Sequence, residues 1–149
     1  MLLPSISRAL ATLVVAGAAF SAPALAPAQT LSPELQGRLQ ACAACHGAGG
    51  QSVLTDIPSL AGQPRVFLEN QLVVIREGLR DIPAMKGLLD GVSDADLAAM
   101  ASHFAAAPLK PTPRPKDAAL YARGQAVAEA NRCASCHLPS YAGREQMPR

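Results

Sequence analysis

Four stretches of the chain place apolar residues at helical spacing. Ser32-Pro33-Glu34 reads as a helix start, with proline at the first helical position and an acid in the first turn. That helix is expected to run towards Cys42. Pro64-Arg65-Val66 opens a second, with Val66, Leu68, Leu72, Val73 and Ile75 apolar, Arg65, Glu69, Arg76 and Glu77 polar, and Gly78 as its stop. Ser93 caps a third, in which Asp94 and Asp96 precede Leu97, Met100, Ala101 and Phe104 and which ends before Pro108. The fourth spans Asp117 to Asn131 and leads to Cys133. Between them, Gly47 to Gly62 and Gly78 to Val92 are rich in Gly, Pro and Asp and read as loops.

Residues 1–28 follow a different pattern. A weakly positive start, Met1 to Arg8, precedes an apolar run from Ala9 to Phe20 and small residues ending in Ala26-Pro27-Ala28. This is the layout of a secretory signal peptide cleaved before Gln29, with an uncleaved N-terminal anchor as the alternative. The run is short for a membrane span and no other segment approaches spanning length. The mature chain is therefore expected to be soluble in an oxidising, extracytoplasmic compartment, here read as the periplasm.

Half of the 149 residues are hydrophobic, but much of that is alanine, aromatics are 3% and there is no Trp. So little apolar bulk suits a chain that completes its interior with a cofactor. Net charge is +2 without charge runs, which gives no footprint for nucleic acid.

All four cysteines lie in C-x-x-C-H motifs, Cys42-Ala-Ala-Cys45-His46 and Cys133-Ala-Ser-Cys136-His137. Two thiols on one helical turn can each add to a vinyl group of one porphyrin, and the adjacent histidine then faces the iron, so the pattern predicts covalently bound haem c at both. Structural zinc would need its cysteine pairs closer together. Disulfides or a thioredoxin-like pair explain neither the histidine after each motif nor the lack of a βαβ pattern. Six-coordinate haem needs a second axial ligand. Met1 leaves with the signal, Met100 sits on an apolar helix face and Met147 corresponds to Ile57 of the first half, so Met85, in Ile82-Pro83-Ala84-Met85-Lys86-Gly87, is the expected sixth ligand. His103, outside the motifs, reads as a partly exposed helix residue. A carbonyl in Ile57-Pro58-Ser59 is expected to take the other ring N–H of His46.

The halves match: each motif follows a helix, and Pro58 and Pro148 stand at nearly the same distance beyond His46 and His137. The expected organisation is a complete domain over 29–107, a proline-rich linker over 108–116 with Pro108, Pro111, Pro113 and Pro115, and the start of a second domain over 117–149. The second part has no counterpart of the Met85 loop or of the helices that follow Pro64 and Ser93, so the chain reads as a fragment whose second distal ligand lies elsewhere.

On Cys42-Ala-Ala-Cys45-His46-Gly47, Ile57-Pro58-Ser59-Leu60-Ala61-Gly62-Gln63, the Met85 loop, Ser93 to Ala107 and the duplicated motif, the chain resembles class I cytochromes c of the tandem dihaem, cytochrome c4 type. The resemblance implies an all-α class I cytochrome c fold, thioethers at Cys42, Cys45, Cys133 and Cys136, proximal histidines His46 and His137, Met85 as distal ligand, and Pro58, matched by Pro148, as carbonyl partner. It further implies a non-enzymatic periplasmic one-electron shuttle, soluble or peripherally associated with the membrane, exchanging electrons with a terminal oxidase, a cytochrome bc1-type donor or a dehydrogenase. The competing readings are a cytochrome subunit of a dehydrogenase or oxidase complex and a haem peroxidase-like enzyme.

Overall fold

The computed structural model describes residues 31–110 and 117–149. The expected signal peptide, and 111–116 of the expected linker, lie outside the described residues. Five α-helices follow one another: α1 (Pro33–His46), α2 (Arg65–Arg76), α3 (Asp94–Ala106), α4 (Ala118–Ala130) and the single turn α5 (Ala134–His137). Short 3₁₀ turns cover Ala48–Gly50 and Pro83–Met85. Among the described residues there is no strand, only an isolated bridge between Arg144 and Met147. No described helix is long and apolar enough to cross a membrane.

The starts of α1, α3 and α4 are set by side-chain caps. Ser32 Oγ accepts from Leu35 N at 3.2 Å, Ser93 Oγ from Asp96 N at 3.1 Å, and Asp117 Oδ1 from Leu120 N at 2.8 Å. Pro64 precedes α2 without such a cap, and Gly78, in the left-handed region at φ 67°, ends the turn beyond it. On α3, Leu97, Met100, Ala101 and Phe104 are buried at i, i+3, i+4 and i+7 against Leu68 of α2 and Leu35 and Leu39 of α1. The α1 stripe carries on in the same register. Leu35, Leu39, Cys42 and His46 share one face, so the helix that anchors the core also turns its Cys42 and His46 inwards.

The loop after α1 is drawn back by Gly50, whose carbonyl accepts from Leu60 N at 2.8 Å and Ala61 N at 3.0 Å. Gly50 stands at φ 80°, and a Cβ there would meet Phe104 Cδ1 at 2.8 Å, so both backbone and space require glycine.

The two halves differ in a way the matched motifs did not foretell. α1 runs unbroken through its motif, whereas α4 stops at Ala130. Asn131 N and Nδ2 both bond Val127 O, and Arg132 turns left-handed at φ 52° before α5 resumes at Ala134. Among the described residues the buried apolar ones lie between Leu35 and Phe104, and Leu120, Tyr121 and Val127 of α4 are exposed.

Leu97 is fully buried where α3 meets the rest of the core. Leu97→Ala is expected to cost about 2–5 kcal/mol by transfer loss and cavity formation, read as a lowered urea midpoint at unchanged m-value.

Candidate functional site: an apolar cavity behind the first Cys-His motif

A cavity of 760 Å³ opens between α1, α2 and the loop ahead of α3, within the ~300–1,000 Å³ range of small-molecule and cofactor sites. Cys42, Cys45 and His46 contribute one wall from α1, Leu68, Leu72 and Ile75 a second from α2, and Met100 and Phe104 of α3 lie at its base. Ile82, Met85 and Leu89, from the segment around the second 3₁₀ turn, complete it. Met85, half-buried, is thus brought to the same cavity as the motif.

His46 is 8% exposed, the one buried polar or charged residue among those described. Its Nδ1–H donates to the carbonyl oxygen of Pro58 at 2.8 Å. That bond fixes the tautomer with the lone pair on Nε2, the arrangement a metal-ligating histidine requires. The loop delivers the acceptor because Gly50 clasps its two ends and Ser59 Oγ accepts from Ser52 N at 3.1 Å. The partner expected within Ile57-Pro58-Ser59 is found at Pro58.

Burial pushes the Cys42 thiol up, so this position favours a neutral sulfur over a thiolate. A thioether satisfies that preference and a zinc thiolate does not. None of the four cysteines forms a disulfide, and among the described residues no three His, Cys, Asp or Glu side chains gather as a closed zinc shell demands.

The second motif repeats the same bond. His137 Nδ1 donates to Pro148 O at 2.7 Å, across a turn closed by Arg144 and Met147, whose main chains exchange bonds at 3.0 and 2.8 Å. Cys133 is half-buried and Cys136 exposed. Met147 thus closes a turn through its backbone. Met100 is core, at 1% exposure, and also touches the cavity. His103 is exposed on α3, its ring edge-on to Phe104 at 5.1 Å, beside a separate, more open cleft.

Sequence reasoning missed the cavity's polar rim. Arg38 of α1 and Arg80, just past α2, both line it; Arg38 pairs with Glu34 at 3.3 Å, and Arg80 bonds Gln71 Oε1. Arg38 lies one turn before Cys42 at the edge of the apolar stripe of α1, where its charge reads as solvent-facing, and Arg80 sits in a segment with no period. The residues fit haem c on each count: apolar walls, a neutral sulfur at Cys42, a histidine nitrogen and a methionine sulfur, and two cations for the cofactor's carboxylates.

The comparisons with known proteins agree with this geometry. The family described as cytochrome C oxidase, cbb3-type, subunit III, matches residues 38–103. The chain is 37% identical over 115 residues to cytochrome c4 of Pseudomonas aeruginosa, covering 72% of this chain and 56% of that one. It is 34% identical to a thiosulfate dehydrogenase electron acceptor of Thiomonas intermedia, over 68% of this chain and 51% of that protein. It superposes on the crystal structure of reduced cytochrome c4 from Pseudomonas stutzeri with a TM-score of 0.68 at 31% identity, over 77% of this chain and 69% of that one. The chain spans a little over half the length of the curated cytochromes c4 it matches.

A cavity of this size with apolar walls is costly to leave to water. In a host with haem-attachment machinery, Cys42→Ala/Cys45→Ala is expected to carry one covalent haem fewer by intact mass and to lose helical circular dichroism relative to the unaltered chain.

Proposed function

The chain belongs to the cytochrome c4-like class I c-type cytochromes, and from that premise we propose that it is an exported one-electron carrier whose first haem c fills the cavity behind Cys42. On this reading Cys42 and Cys45 form the thioethers, His46 Nε2 is one axial ligand and Met85 Sδ the other. Haem c, when bound, supplies a one-electron iron couple. The chain's own groups do the rest. Pro58 holds His46 in orientation and raises its basicity as a ligand, the α2 and α3 side chains keep water from the cavity, and Arg38 and Arg80 offset negative charge at its rim. Cys133, Cys136 and His137 hold a second haem c in the same way, with no counterpart of the Met85 loop among residues 117–149.

The observation that carries the reading is the meeting, in one apolar cavity, of both motif cysteines, a buried histidine locked at Nδ1 and Met85. The proposed domain bounds are 29–107 and 117–149, and the apolar run and small residues within 1–28 support a leader that directs the chain to the periplasm. The partners are redox proteins: a terminal oxidase, a bc1-type donor or a dehydrogenase. A second reading, a cytochrome subunit of a dehydrogenase complex, is favoured by the similarity to the thiosulfate dehydrogenase electron acceptor. Stable co-purification with a catalytic subunit separates it from a free shuttle.

Cations beside the cavity disfavour the oxidised, more positive iron. Replacing Arg38 and Arg80 together by Gln is therefore expected to lower the first centre's reduction potential, measured by spectroelectrochemistry.

Met85→Ala is expected to abolish the methionine-to-iron charge-transfer band of the ferric protein and to open the first centre to external ligands. A band that survives this substitution would remove Met85 from the iron and with it the closed-carrier reading.

A further inference from the structure

The segment that carries Met85 leaves α2 at Glu77 and re-enters helix at Asp94, and a single side chain joins its two feet. Arg76, in the last turn of α2, is 19% exposed and uses all three guanidinium nitrogens. Nε donates to Glu77 Oε1, Nη1 to the carbonyl oxygen of Val92 and Nη2 to Asp94 Oδ1, each at 2.8 Å. Glu77 is the first residue of the segment, Val92 is among its last, and Asp94 opens α3. A planar, five-donor fork can meet three acceptors in this way and an ammonium cannot.

The charges also sit where the helices favour them, a cation at the carboxyl end of α2 and an anion in the first turn of α3. The hydrogen bonds that Arg76 donates to Asp94 and then to Glu77 push its pKa above the ordinary value, so the guanidinium stays charged. Between the feet the segment is held less evenly. Leu89 and Val92 are buried at 4% and 3%, but Leu79 and Leu88 are exposed at 79% and 55%, and its regular structure is the one 3₁₀ turn Pro83–Met85. Met85 N bonds Ile82 O at 2.8 Å and Leu88 N bonds Met85 O at 3.1 Å, contacts that stay within the segment. What fixes the methionine relative to the helices is thus Leu89 in the core, the bond from Arg80 to Gln71 of α2, and the Arg76 contact that joins the two feet.

We propose that Arg76 is a positioning residue for Met85: by clamping both feet of the 77–93 segment it keeps the thioether against the iron and sets how readily an external ligand displaces it. The proposal rests on Met85 being the distal ligand. An incoming ligand binds the fraction of molecules in which the segment has swung away, so its apparent affinity scales with that fraction.

The test is an imidazole titration of the full-length ferric holoprotein at fixed pH, followed by loss of the methionine charge-transfer band, with thermal unfolding measured in parallel. Arg76→Gln is expected to bind imidazole about tenfold more tightly, the effect of losing roughly one charge-assisted hydrogen bond from the closed state. Leu35→Ala, which weakens the core from α1 without lining the cavity, is expected to lower the unfolding temperature and leave imidazole affinity unchanged. Unchanged affinity in Arg76→Gln, or equal tightening in Leu35→Ala, overturns the clamp. If Arg76→Gln does not fold, Asp94→Ala removes one of the three contacts and must shift affinity in the same direction. Met85→Ala separates the two failures: a band that persists there refutes the ligand assignment, whereas a band lost there with Arg76→Gln behaving as wild type refutes the clamp alone.

Discussion

The bond from His46 Nδ1 to the Pro58 carbonyl ties together two segments that would otherwise have little reason to meet, the inner end of a helix and the middle of a glycine-rich loop. Much of the first unit is arranged around it. The α1 stripe brings the imidazole inwards, Gly50 O draws the loop back by accepting from Leu60 N and Ala61 N, and Gly62 N caps the end of α3 by bonding Phe104 O at 3.0 Å. A buried imidazole without that acceptor would have an unsatisfied donor and two competing tautomers. With it, one nitrogen is committed to the protein and the other to whatever fills the cavity.

How much of this could be read from the chain depended on how local the determining physics was. The caps Ser32, Ser93 and Asp117, the stop at Gly78 and the stripe of α3 are set by neighbours within a turn or two, and they stand where the pattern placed them. The motifs and Met85 could be singled out because haem attachment and ligation restrict residue type and order, and the first motif and Met85 do line one cavity. The 3₁₀ turn at Pro83–Met85, the cationic rim of Arg38 and Arg80 and the three-way contact of Arg76 were not, because each depends on which distant segment packs alongside. The break at Asn131–Arg132 escaped for another reason: the matched motifs suggested equal approaches, but the main chain there is closed by an asparagine turn that has no equivalent before Cys42.

The halves also differ in what holds them. The first has nine buried hydrophobic residues in one contiguous cluster around its cavity. The described part of the second has none buried, and α4 keeps Leu120, Tyr121 and Val127 at the surface. Among the described residues, the similarity between the halves lies in the Cys-His motifs and the histidine's support.

If the chain carries two haems as proposed, that shared support bears on the driving force for moving an electron between them. His46 and His137 each donate to a proline carbonyl, at 2.8 and 2.7 Å. The push that a proximal ligand gives to its iron would then be nearly equal at the two centres. On the proposed reading, any bias in the direction of internal transfer would arise from the distal side and from solvent access rather than from the proximal ligands.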